Sequence, residues 1–151
     1  MLDWSIIDVI SLTINGQLLS NVEVTDILQN ADVICKRFAF GRGSAYTFWN
    51  SNRHMLGLFN KFIDNLDEFH RNCIRQFLNT APYFAQCNMF ICRKEVIDKY
   101  CEWLFYELSK LKKEDFVSLK RSIGYVAEFV FGAWLMMHNY KIHYQTVKEF
   151  R

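Results

Sequence analysis

The sequence predicts a helix-rich α/β chain with a few short strands and about five helices. Three observations carry that expectation. Glycine and proline are scarce, six and one in 151 residues, so long helices run unbroken and a turn-rich all-β fold is disfavoured. Apolar residues recur at helical spacing through several segments of the chain. The run Tyr83 to Cys92 is mostly apolar and aromatic, the pattern of a strand covered on both faces.

The elements follow in chain order. Residues 4–14 are rich in Ile, Val and Leu but alternate poorly, which suits a short strand or a short helix, and Asn15-Gly16 then supplies a turn. Thr25 is placed to cap a short helix running through Asn30, and Asp32 to Cys35 form a short buried strand. Lys36 to Ser44, with Gly41 and Gly43, read as a loop. Leu56, Phe59, Phe62, Ile63 and Leu66 make one helical stripe; Phe69, Cys73, Ile74, Phe77 and Leu78 make a second. Asn65 and Asp67 divide the two, and Pro82 ends the second because proline disfavours helix in the residue before it.

After the apolar strand, Arg93-Lys94-Glu95 opens the most regular helix. Val96, Ile97, Tyr100, Cys101, Leu104, Phe105, Leu108 and Leu111 form its apolar stripe, with Asp98, Lys99, Glu102, Glu107, Lys110 and Lys112 off it. Burying six or so such side chains contributes on the order of 10 kcal/mol before entropy costs. Glu114-Asp115 interrupts. Ser118 or Ser122 caps a last helix carrying Ile123, Val126, Ala127, Val130, Phe131, Trp134 and Leu135. Tyr140 to Val147 alternates as an edge strand.

Bulk properties bound the function. The length suits one domain, residues 1–151. A 51% hydrophobic and 17% aromatic composition excludes disorder. Net charge is +2. The basic residues Lys110, Lys112, Lys113, Lys120 and Arg121 are broken by Glu114 and Asp115, the pattern of solvated helix ends and not of a nucleic-acid site. Five cysteines, an odd count without a CxxC pair, point to reduced thiols in a cytoplasmic protein. The start lacks the basic region of a signal peptide. The most apolar run, Tyr125 to Met137, contains Glu128 and is too short to span a bilayer.

No Walker loop, GxGxxG, GxSxG or HExxH occurs. Cys87 and Cys92 would point to opposite strand faces, so no metal site is expected from them, and His54, His70, His138 and His143 read as structural or surface residues. Two residues resist a packing explanation. Asn88 interrupts the apolar strand; a buried amide left unpaired costs about 1–3 kcal/mol, so it either bonds a loop backbone or faces a ligand. Glu128 interrupts the most apolar helix, and it is either ion-paired, for example to Arg121, or a functional carboxylate. Glu102-Trp103 joins a carboxylate to an aromatic ring, with core packing and a sugar-lining role as its two readings.

The residues then point to a family. Asn88-Met-Phe-Ile-Cys-Arg-Lys-Glu-Val-Ile-Asp-Lys-Tyr-Cys-Glu-Trp-Leu-Phe105 resembles the pattern N-M-F-I-M-K-K-E-x-F-D-E-Y-C-E-W-L-F of bacterial glycosyltransferase-like proteins from capsular and exopolysaccharide gene clusters, domain of unknown function 4422. Residues Thr25 to Ile34 resemble that family's helix followed by a D-V/I-I strand. Gly124 to Leu135 is similar to its G-F-L-x-E-R-L-x-x-x-W-L helix, with Glu128 retained and Phe129 in place of the Arg. The resemblance covers about residues 18–147, roughly the C-terminal two-thirds of a family member; the family's opening nucleotide-binding strand and its C-H-Y-R-R-Y-F-like segment have no counterpart in Met1 to Gly16.

It implies a partial single-Rossmann-like (GT-A-type) fold, a nucleotide-sugar donor and a glycan or lipid-linked acceptor. Glu128 becomes the candidate catalytic carboxylate, with Asn88, Glu102 and Trp103 as substrate-binding residues. No metal ligand is expected in this chain, since no Asp-x-Asp motif occurs; a divalent cation such as Mn or Mg belongs to the full family domain. The alternative is a non-catalytic remnant or interaction module that self-associates or needs a partner chain supplying the nucleotide-binding half.

Overall fold

The computed structural model describes residues 4–5, 13–14, 17–39, 53–81, 83–116 and 122–145. A four-stranded mixed sheet in the order β1-β5-β4-β6 organises it. β4 (Val33–Ala39) and β5 (Tyr83–Arg93) form the antiparallel centre. β1 (Trp4–Ser5) pairs with the end of β5, and β6 (Ile142–Gln145) lies parallel to β4 as the edge strand the alternation predicts. A separate antiparallel pair, β2 (Thr13–Ile14) and β3 (Gln17–Leu18), flanks Asn15-Gly16. The helices are α1 (Asn21–Leu28), α2 (Arg53–Asn65), α3 (Glu68–Thr80), α4 (Lys94–Ser109) and α5 (Ser122–Met137), with a 3₁₀ turn at Lys113–Phe116.

Phe90, Ile91 and Cys92 are consecutive and all buried. Successive strand residues face opposite sides, so the sheet is covered on both, as the apolar run predicts. Ile91 joins Ile34 and Leu28 beneath α1. Phe90 and Cys92 face the main core built by α2 to α5. Burial pushes the Cys92 thiol up to about 12, and Cys35, Cys73, Cys92 and Cys101 are all free thiols.

Local chemistry corrects the expected boundaries of two elements. The cap of α1 is Ser20, not Thr25: the Ser20 hydroxyl accepts from the Glu23 backbone N–H at 3.3 Å while the Ser20 backbone N–H donates to the Glu23 carboxylate at 2.7 Å, a reciprocal capping box. Thr25 sits inside the helix, its hydroxyl donating to the Asn21 carbonyl. β4 continues to Ala39, into the stretch expected as a loop, because β5 pairs with it as far as Tyr83; Gly41 and Gly43 lie outside the described residues, as do Ser118 and Arg121. Asp67 does divide α2 from α3, accepting from the His70 backbone N–H at 3.0 Å as the N-cap.

Three residues expected on apolar stripes are exposed: Phe69, Phe105 and Ile123. Glu107, expected off the stripe, is buried and accepts from the Lys110 ammonium at 2.6 Å. At 100° per residue the buried arc of α4 runs from Val96 round to Leu108; Glu107 falls inside it, and Phe105 falls about 60° beyond its edge. On α5 burial runs almost all round, through Val126, Phe129, Val130, Phe131, Ala133, Trp134 and Leu135. Phe129, at the position of the family's Arg, meets Phe59 edge-on at 6.4 Å and is a core residue.

Candidate functional site

Lys99, Glu102, Trp103 and Tyr106 stand at i, i+3, i+4 and i+7 on α4, which places them on one face. Facing them are His70 from the first turn of α3, Trp134 and His138 from the end of α5, and Tyr140 just before β6. These eight residues line an open cleft of about 670 Å³.

Aromatic contacts fix its walls. Trp103 stacks on the His70 ring at 5.6 Å between centroids, and Phe62 meets it edge-on from below at 6.2 Å. Trp134 stacks on Tyr140 at 5.5 Å and touches the His138 ring at 4.6 Å. Tyr100 joins the two tryptophans beneath the cleft, 6.1 Å from Trp103 and 5.2 Å from Trp134. Its hydroxyl donates to the Ala127 carbonyl at 2.5 Å, and burial pushes its pKa well up.

The polar groups are differently placed. The His70 ring donates through Nδ1 to the Asp67 carboxylate. That carboxyl is held below its usual range, first by the His70 backbone N–H and then by the ring. Nε2 of His70 has no protein partner among the described residues, nor do the Glu102 carboxylate and the Lys99 ammonium. The indole N–H groups of Trp103 and Trp134 are buried and also unpartnered there.

Burial lowers the His138 pKa, and the nearby His70 and Lys99 lower it further. The native state therefore binds fewer protons at His138 than the unfolded chain does. Stability from this group is present above the ordinary histidine value near 6.5 and is lost as pH falls through the lowered native value. Thermal melts taken between pH 7 and pH 5 should show stability falling with pH, and His138→Asn should flatten that slope.

The cleft sits at the end of the sheet where the parallel strands begin. The Asp32 backbone N–H donates to the Lys141 carbonyl at 2.8 Å, and the Lys141 N–H donates to the Asp32 carboxylate at 2.8 Å. These bonds tie the start of β6 to the start of β4 beside Tyr140. The opposite edge, where β4 ends at Ala39, is about 20 Å away at the rise of a strand.

Of the residues singled out from sequence, Glu102 and Trp103 meet in this cleft. Glu128 is not among its lining residues. Glu128 is half-buried on α5, engaged in contacts there, and about 9 Å along the helix from Trp134. Asn88 lies in β5 at an irregularity. Between the pairs Cys35↔Phe90 and Arg37↔Ala85, β4 has one residue, Lys36, while β5 has four, Gln86 to Met89. The extra residues make a bulge that contains Asn88; its side chain lies outside the described part. His70, His138, Tyr106 and Tyr140 were not singled out as site residues. The sequence marked the Glu102-Trp103 pair and set Lys99 off the apolar stripe, but neither Tyr106 nor the convergence of this face with α3 and α5 was read from it.

A mixed sheet covered by helices, with this parallel β4–β6 pair, fits a partial single-Rossmann-like domain. The apo structure of WbbM, a bifunctional glycosyltransferase, shares it at a TM-score of 0.65 and 22% identity, over 83% of this chain and 25% of that one. The likeness is one of fold, and the chain spans about a quarter of the WbbM chain's length. The family model described as Domain of unknown function (DUF4422) matches residues 10–139, and the chain belongs to that family. The match begins at residue 10, ahead of the expected start near Leu18, and so takes in β2 and β3. No curated protein matches the chain. Among the described residues no helix is long and apolar enough to cross a membrane, and no three His, Cys, Asp or Glu side chains are grouped to hold a metal ion.

Proposed function

We propose that the chain is the acceptor-side, C-terminal part of a glycosyltransferase of bacterial surface polysaccharide biosynthesis, capsule or exopolysaccharide. It works in the cytoplasm and helps move a sugar from a nucleotide-sugar donor to a glycan or lipid-linked acceptor. The observation that supports this reading best is the family match over residues 10–139 on a fold shared with a glycosyltransferase. Open α/β sheets bind ligands beyond the carboxyl ends of their strands, and here that edge lies beyond Ala39 and Gln145.

In this reading Glu128 takes the proton of the acceptor hydroxyl as its oxygen bonds to the donor C1, and the nucleoside diphosphate leaves with the electron pair of the broken C1–O bond. Asn88, carried on the bulge, orients sugar hydroxyls; bulges re-aim side chains next to active sites. Glu102 and Trp103 contribute sugar contacts from their cleft. In this reading a divalent cation such as Mn or Mg belongs to the remainder of a larger domain.

The test is to mix the protein with a panel of nucleotide sugars and manganese and to measure nucleoside diphosphate release. Release is expected, with Glu128→Gln slowing it about a hundredfold, the scale of a lost acid–base group. No release, while a full-length relative releases nucleotide, would sink independent catalysis. The second reading, a non-catalytic part that needs a partner chain, draws on the exposed Phe69, Phe105 and Tyr106; it requires self-association or aggregation on size-exclusion chromatography.

A further inference from the structure

We infer that the cleft walled by α3, α4 and the end of α5 is a second, non-transferring site that holds one or two neutral pyranose rings of a glycan chain. The sugar identity of the ligand rests on the function proposed above; the existence and chemistry of the site do not.

Position comes first. The cleft opens beside the starts of β4 and β6, about 20 Å from the edge where this class of sheet places its chemistry. Its wall residue Trp134 stands about 9 Å along α5 from Glu128, so a ring bound there is not the one transferred but a neighbour on the same growing glycan.

Composition comes second. The walls are the rings of Trp103, Trp134, Tyr106 and Tyr140, and the polar groups at its rim are Lys99, Glu102, His70 and His138. Flat apolar walls with a few unengaged donors and acceptors suit a ligand that has C–H faces and hydroxyl edges. Glu102 offers an acceptor pair, Lys99 three donors, and Nε2 of His70 one acceptor whose tautomer Asp67 holds. None of the three is engaged by the protein among the described residues. Tyr106 is 64% exposed, and its ring is steadied by the Lys110 ammonium 4.5 Å above it. A volume of about 670 Å³ admits a mono- or disaccharide.

Charge comes third and excludes the donor. Lys99 is offset by Glu102, and partial desolvation lowers the His138 pKa, which disfavours a second cation there. Among the described residues, no glycine lines the cleft. A nucleoside diphosphate would bring charge that this arrangement does not neutralise, whereas a neutral pyranose brings none.

The experiment titrates the intact chain with methyl β-D-galactopyranoside, methyl α-D-glucopyranoside and their disaccharides, following tryptophan fluorescence and ligand saturation-transfer NMR. UDP, without sugar, is the charged control. A saturable change with at least one pyranoside is expected near 1 mM, the range of weak small-ligand binding. Glu102→Ala and Tyr106→Ala alter exposed side chains, so both should melt like the parent while weakening binding at least tenfold. Three results would overturn the inference: no saturable change with any sugar to about 100 mM, binding unaffected by both substitutions, or UDP competing for the same site. Sugar binding without nucleoside diphosphate release keeps the cleft and removes the transfer reading. Release without sugar binding does the reverse.

Discussion

Replacing Trp134 with alanine is expected to lower the unfolding free energy by about 4 kcal/mol, the scale of large aromatic truncations in cores. Trp134 is only 2% exposed and is the largest fully buried side chain among the described residues. Its ring ties three elements together: it meets Tyr100 of α4 at 5.2 Å, His138 at the end of α5 at 4.6 Å, and Tyr140 ahead of β6 at 5.5 Å. Truncation leaves a void that these neighbours cannot fill, because Tyr100 is anchored by its bond to the Ala127 carbonyl. A domain of this size loses about 10 °C of melting temperature for such a change. Trp134→Phe keeps most of the contact and removes an indole N–H that has no partner among the described residues, so it should cost much less than alanine. Scanning calorimetry separates the two. Equal losses for Phe and Ala would show that the indole ring, and not its aromatic bulk, carries the stability.

What the sequence disclosed, and what it hid, follows from the range of the forces involved. Periodicity is local, so α2 to α5 and the two-faced strand β5 were legible from apolar spacing alone, as was the edge strand β6. Capping is also local, and Ser20-x-x-Glu23 was there to be read; Thr25 drew attention only because it too is a cap-forming residue. The length of β4 was not legible, because Lys36 to Ala39 gain strand structure from pairing with a segment that lies more than forty residues later. Phe105 and Glu107 exchanged their expected places because the arc of α4 that meets its neighbours is turned toward Val96, and a stripe drawn from side-chain type has no such orientation. The cleft was half legible. Glu102 and Trp103 were marked by their chemistry, but His70, His138 and Tyr140 reach it only through the packing of α3 and α5 on α4. Glu128 and Asn88, the polar interruptions of apolar elements, were equally visible, yet Glu128 does not line that cleft and the Asn88 side chain lies outside the described part.

Gly132 carries the second large effect, and it turns on one contact. A Cβ at this position of α5 would stand 2.9 Å from the far end of the Phe77 ring of α3. Phe77 is buried at 2% exposure and cannot swing away without disturbing the core. Alanine normally gains about 1 kcal/mol over glycine inside a helix. Here overpacking of about 1–3 kcal/mol opposes that gain, so Gly132→Ala should be destabilising by about 1 kcal/mol. Gly132→Val adds two branches at the contact and should cost about 3 kcal/mol, read as a lower denaturation midpoint at unchanged slope. The contact itself is tested by pairing. Phe77→Leu withdraws the ring end, so its own cost should be partly repaid when Gly132→Ala is present, a favourable coupling of about 1 kcal/mol in a double-mutant cycle. Additive losses would mean that Gly132 is needed for some reason other than the close approach of α3 to α5. Because α3 also carries His70 and α5 carries Trp134, with His138 directly after that helix, a ring forced outward here should widen the cleft. Gly132→Val should therefore also weaken pyranoside binding in the fraction that remains folded, whereas a purely local strain would leave that binding unchanged.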